Sequence, residues 1–253
     1  MGRPASSNEY SYWETHYRRG GSSGEGSVGD LREWKWRIIN LYVKDADDIV
    51  DIGCGDLSFW DCELALKPVH YCGVDISPTI IARNQRTYPD RSFSIADAKT
   101  PILALKGRIV LCLDVLFHIL DDDTFLHILE NLCRYSLEWI FVFTWCKNPF
   151  SLSFSFQWRL RQLYTKLVTS GSINWNLLWA LISPRRIRAN IRSLTCAINS
   201  DGLYQKYRVF ENNLGVFEKN GFRLIGRHQS PYYKGDGAMY VFHADASSLL
   251  VTS

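Results

Sequence analysis

The sequence predicts an α/β fold: a doubly wound, mostly parallel seven-stranded sheet with helices on both faces, plus an N-terminal lid segment and a helical insertion after the fifth strand. Three observations predict it. Between Ile49 and Trp145, short apolar runs alternate with helix-patterned segments, which is the signature of βαβ units. The runs are almost continuously apolar, as strands covered on both faces require. The alternation stops after Trp145 for about sixty residues and then resumes.

The elements follow in order. Residues 1–45 hold the aromatic and charged stretch YSYWETHYRR, the Gly/Ser-rich loop GGSSGEGSVG, and a helix with apolar positions Leu31, Trp34, Ile38 and Tyr42. Asp30 and Glu33 have the spacing of a capping box for that helix. Residues 46–146 form the core: strand IVDIG, a helix running to about Leu64, strand HYCGVDI, a helix opening at Ser77-Pro78, and strand SFSIAD. Strand RIVLCLDV follows, then a helix begun by Asp121-Asp122-Asp123 that turns Phe125, Leu129, Leu132 and Cys133 inward, then strand WIFVFTW. Residues 147–209 contain two amphipathic helical patterns rich in aromatic and basic residues. Residues 210–244 return to the core with a helix at NNLGVFEKNG and a hairpin of FRLIGRH and AMYVFHA across Gly235-Asp236-Gly237, and 245–253 are a tail.

With 253 residues, 46% hydrophobic, the chain has enough apolar surface for a full core, which excludes a wholly disordered protein. The net charge of +3 argues for no partner, but residues 147–209 carry ten Lys or Arg against one acid, Asp201, a local +9 against −6 elsewhere. Seven cysteines without a C-x-x-C pair read as free thiols in a reducing compartment, and no His/Cys cluster has metal-ligand spacing, so no metal is expected. The N-terminus lacks an apolar h-region and no apolar run reaches membrane-span length, so a soluble, cytoplasmic protein is expected.

The stretch IVDIGCGDLS carries the chemistry. Gly53 and Gly55 allow a tight turn after the first strand, facing the crevice beyond the strand ends where ligands of such sheets sit. A dinucleotide site wants G-x-G-x-x-G, and Ser58 holds the third glycine position. Asp51, at the strand end, repels a pyrophosphate but attracts a sulfonium and an α-ammonium group, the two cations of S-adenosylmethionine (SAM). Asp75 ends the second strand, where an acid accepts hydrogen bonds from ribose hydroxyls.

VDIGCGDLS, CGVDIS, IADA and LCLDVLFHI together resemble the successive motifs of class I SAM-dependent methyltransferases, over about residues 46–146 and again at 210–244, where the resemblance implies an antiparallel last strand. It implies SAM as cofactor, with Asp51, Gly53, Cys54 and Gly55 along its methionine part, Asp75 and Ile76 at the ribose, and Asp97 and Ala98 at the adenine. Asp114 and Val115 would face the methionine amino group or the substrate. His118, in DVLFHI, occupies the place of a base that takes a proton from the nucleophile as it attacks the methyl. His127 reads as surface.

Substrate recognition falls to Tyr12, Trp13 and Tyr17 in the lid and to Trp145, Tyr207 and Arg208 around the insertion. The expected reaction is methyl transfer to an O or N nucleophile of a small molecule, anionic and amphiphilic ones included. Signatures of the N-P-P-[YF] type are missing, which counts against base N-methylation. Basic residues interleaved with aromatics equally suit RNA or an anionic membrane surface, and they suit a cap whose charges complement an acidic core. An RNA methyltransferase and a non-catalytic SAM-binding module are the alternatives; Ser58 and Asp51 disfavour an NAD-dependent oxidoreductase.

Overall fold

The computed structural model describes residues 8–45, 48–146, 206, 208–232 and 237–245. Seven strands form one sheet: β1 (Asp48–Ile52), β2 (His70–Asp75), β3 (Ser92–Ile95), β4 (Gly107–Leu113), β5 (Ser136–Trp145), β6 (Phe222–Gln229) and β7 (Gly237–Ala244). Their order is β3-β2-β1-β4-β5-β7-β6. The first five run parallel, and β7 lies antiparallel between β5 and β6. The β6–β7 hairpin therefore forms as its sequence predicts, while Gly235 and Asp236 of its turn lie outside the described residues.

Strand pleating sorts the apolar runs between two layers. Val50, Ile52, Val110, Cys112, Ile140, Val142, Tyr240 and Phe242 face α4 (Asp122–Tyr135) and a short helix α5 (Leu214–Lys219). Ile49, Ile109, Leu111, Phe141, Phe143, Met239 and Val241 face α2 (Gly29–Tyr42) and α3 (Pro78–Thr87). The Ser77 side chain caps α3 by accepting from the Ile80 amide, with Pro78 in the first turn, and Asp121 caps α4 by accepting from Thr124. His127 is exposed on α4. α1 (Asn8–Arg18) packs against α3.

Two expectations are corrected. Asp30 does not cap α2; it lies in the first turn of a helix preceded by Val28 that has no side-chain cap. No α-helix links β1 to β2. The chain makes only a three-residue 3₁₀ turn, Ser58–Trp60, with Leu57 in the left-handed region at φ 62°. The cause is tertiary: the Trp60 indole N–H donates to Asp51 at 2.8 Å, and the Trp36 indole N–H donates to the Phe59 carbonyl at 2.8 Å. Two large rings drawn inward hold the segment as turns.

Of the expected insertion, 147–209, residues 147–205 and Tyr207 lie outside the described residues, as does the tail beyond Asp245. Among the described residues no helix is long and apolar enough to cross a membrane.

Candidate active site

The parallel strands β1 to β4 end together above the glycine turn, and a cavity opens there holding about 970 Å³ of space, part of it open to solvent. Its floor is apolar, formed by Phe59, Val74, Ala96 and Leu113, and acids stand around it: Asp51, Asp75, Asp97 and Asp114. Gly53, Cys54, Ile76, Ala98, Val115 and His118 also line it. Trp13 and Tyr17 from α1, with Ser23 and Ser27 from the following loop, complete the wall.

Each acid is held differently. Asp51 is buried and accepts from Trp60 and from the Tyr71 hydroxyl at 2.9 Å; burial raises its pKa against those two bonds and the nearby Arg91 charge. Asp75 is also buried and accepts the amides of Gly55 at 3.1 Å and Ser77 at 2.9 Å. Burial raises it to about 6, against those amides and with help from Asp51. Asp97 pairs with Lys99 at 3.1 Å. Asp114, at φ 62°, forms an ion pair with Lys35. Asp51 and Asp75 form no ion pair among the described residues, unlike Asp97 and Asp114.

The glycines do separate work. Gly53, at φ 74°, leaves no room for a Cβ because Val115 would overlap it. Gly55, at φ 55°, does not line the cavity; its bare face admits Ser23 and Tyr17 of the N-terminal segment. Asn84 of α3 fixes this turn by donating to the Gly55 carbonyl at 2.7 Å.

The N-terminal segment lies over the site and is pinned at both ends. Glu14, buried on α1, accepts from the Ser77 hydroxyl at 2.7 Å, the Thr79 hydroxyl at 2.6 Å and the Thr79 amide at 3.2 Å, all at the positive end of α3. Although burial pushes its pKa up, these bonds and one from Arg18 bring it down to about 2. Ser23 and Asp56 bond reciprocally, the Ser23 hydroxyl donating at 2.7 Å and accepting the Asp56 amide at 2.8 Å. Trp13 stacks on Tyr17, with centroids 5.7 Å apart, and meets His118 edge to face at 5.0 Å.

Of the residues singled out from the sequence, the structure gathers Trp13, Tyr17, Asp51, Gly53, Cys54, Asp75, Ile76, Asp97, Ala98, Asp114, Val115 and His118 around one cavity. Tyr12, Gly55, Trp145 and Arg208 are not among its lining residues. Tyr12 stacks on His16, and Trp145 packs on Phe117. Arg208 is bound up internally: it donates to the carbonyls of Ile119 at 2.7 Å, Leu120 at 3.4 Å and Asp121 at 3.3 Å, pairs with Asp122, and lies over the Phe125 ring. Glu14, Ser23, Lys35 and Asp56 were not anticipated. Only Lys35 left a sequence signal, a charge in the inward stripe of α2, four residues after Leu31 and three before Ile38.

The strand order with an antiparallel β7, and the cavity over the β1 turn, decide the fold. It is the fold of class I SAM-dependent methyltransferases. The chain is similar to magnesium protoporphyrin IX methyltransferase from Synechocystis PCC 6803 with bound S-adenosylhomocysteine (SAH), at TM-score 0.56 and 14% identity over 93% of this chain and 98% of that one. It is similar to the N-methyltransferase NodS from Bradyrhizobium japonicum WM9 in complex with SAH, at TM-score 0.57 and 13% identity over 94% and 99%. A SAM-dependent methyltransferase from Clostridium acetobutylicum ATCC 824 matches at TM-score 0.53 and 11% identity over 94% and 99%. No protein-family model matches the chain, and neither does any curated protein. The turn after β1 leads into a three-residue 3₁₀ turn and no α-helix.

Proposed function

We propose that the chain transfers the methyl group of SAM to an oxygen or nitrogen of a small-molecule acceptor. One observation carries the reading: two buried carboxylates without an ion-pair partner among the described residues, Asp51 and Asp75, face a cavity beside a glycine turn that leads into no helix. A pyrophosphate is held by the amides and dipole at a helix N-terminus. Here that helix is missing and the charge is negative, so the site suits a cationic nucleoside and not a dinucleotide. The structural neighbours that hold SAH support the same ligand.

SAM, when bound, supplies a methyl group on a sulfonium for in-line displacement. Asp75 accepts from the ribose hydroxyls, Asp51 provides negative charge beside the methionine part, and Asp97 with the Ala98 amide holds the adenine. Asp114 faces the methionine amino group or the acceptor. Trp13 and Tyr17 exclude water, and His118 takes the proton released as the nucleophile attacks, while positioning supplies much of the rate. Two of the ten basic residues of 147–209, Lys206 and Arg208, pair with Asp122, which favours charges that complement the core over an RNA groove. The free thiols of Cys54, Cys62, Cys72, Cys112 and Cys133 suit a reducing, cytoplasmic compartment.

Calorimetric titration of folded, ligand-stripped protein with SAH, followed by transfer of labelled methyl from SAM to hydroxyl and amine acceptors, tests the reading. Saturable SAH binding is expected. Its absence would sink the proposal, and binding without transfer to any acceptor would favour a non-catalytic module.

A further inference from the structure

Lys35 is a wholly buried charge for which the proposed chemistry has no use. It stands in the inward stripe of α2 among Leu31, Trp36, Ile38 and Ile39, and its side chain is wholly buried. Lysine is almost never fully buried unless it is paired. Its ammonium has three partners from three parts of the fold. It donates to the Gly26 carbonyl at 2.9 Å, forms the ion pair with Asp114, and lies 4.1 Å above the centre of the Phe143 ring. Burial pushes its pKa down, and Asp114 pulls it back up.

Stability alone does not explain this arrangement. Replacing a buried ion pair by apolar side chains of similar volume is often neutral or stabilising. The partners suggest another reason. Gly26 belongs to the loop between α1 and α2, whose Ser23 and Ser27 line the cavity, and Asp114 lines it from the end of β4. Gly26 also approaches Asp114 so closely that a Cβ at that position would overlap the carboxylate. One ammonium thus joins the covering loop to the acidic wall.

We propose that Lys35 is a positioning residue: its ammonium latches the Gly24–Ser27 turn onto Asp114, so that the loop closes the cavity only while this pair is intact. The identity of the ligand retained by the closed loop rests on the SAM reading above; the closure itself does not.

Two variants and two readouts test the latch. Lys35→Met leaves the Asp114 carboxylate uncompensated, whereas Lys35→Met/Asp114→Asn removes both charges and keeps the protein measurable if the single variant does not fold. The double variant is expected to be the more stable of the two in chemical denaturation. Without ligand, amides over residues 20–28 should exchange with deuterium about tenfold faster in the folded variants than in the wild type, and folded Lys35→Met should bind SAH about tenfold more weakly, the usual scale of coupling between sites. Wild-type exchange across residues 20–28 in the double variant would overturn the latch, as would unchanged SAH affinity in folded Lys35→Met. A wild-type chain that fails to bind SAH would sink the SAM reading, and ligand-free exchange would then decide the latch.

Discussion

The Asp75 carboxylate accepts the Gly55 amide at 3.1 Å, joining the end of β2 to the glycine turn that follows β1. The sequence alone suggests that Asp75 meets only the ligand, so that its loss would spare the fold. The structure shows that it also holds the Ser77 amide at the start of α3. Asp75→Ala should therefore weaken SAH binding and also destabilise the protein by about 1–3 kcal/mol, the usual cost of leaving buried donors unsatisfied. Calorimetry and urea denaturation separate the two effects. Unchanged affinity would remove Asp75 from the ligand site.

The same carboxyl sets a pH dependence. Its folded pKa of about 6 lies above the ordinary 3.8, so the folded protein holds a proton that the unfolded chain has released. Stability in the absence of ligand should fall as pH rises from about 4 to 6. Ribose hydroxyls donate to the ionised form, so SAH affinity should change in the opposite sense, weakening as pH falls through 6. Titrations across that range check the sign, and a flat profile would show that Asp75 does not titrate with binding.

Glu14 should behave as an acid-sensitive anchor for α1. Its folded pKa of about 2 lies below the ordinary 4.5, so its contribution is present above 4.5 and is lost as pH falls toward 2. Glu14→Gln should cost about 1.5–3 kcal/mol, the range for hydrogen bonds to a charged group, and should flatten that part of the stability profile. Denaturation curves at successive pH values measure both.

His118→Ala should leave SAH affinity close to that of the wild type and slow turnover by about 10²–10⁴-fold, the usual contribution of a positioned base. Equal turnover would leave His118 as a packing residue, against the Trp13 and Phe117 rings among others.

Arg208 should act through the turn that carries His118, because it bonds three successive carbonyls just after that residue. Arg208→Ala should destabilise the protein by about 1–3 kcal/mol through orphaned carbonyls and lower kcat more than KM. Denaturation and steady-state kinetics test it together.

The sheet was readable because β4, β5 and β7 are almost uniformly apolar, and the starts of α3 and α4 because Ser77-Pro78 and Asp121 cap their own helices locally. The site was readable as far as residues stand at strand ends, where topology alone brings Asp51, Asp75, Asp97 and Asp114 to one cavity. What stayed hidden depends on partners far along the chain. SFWDCELAL looks helical by itself, and only Asp51, Trp36 and Tyr71 reveal why Phe59 and Trp60 turn inward instead. Glu14 bonds residues more than sixty positions away, and Lys35 one seventy-nine away. No local periodicity reports such pairs.

A cationic nucleoside, and not a dinucleotide, is the ligand proposed for the cavity over the β1 turn. Thermal unfolding of the purified chain with SAM, SAH and NAD in parallel tests it most directly, since a ligand that binds only the folded state raises its stability. Tm should rise with SAM and SAH and stay unchanged with NAD. A rise with NAD, or none with SAM and SAH, would contradict it.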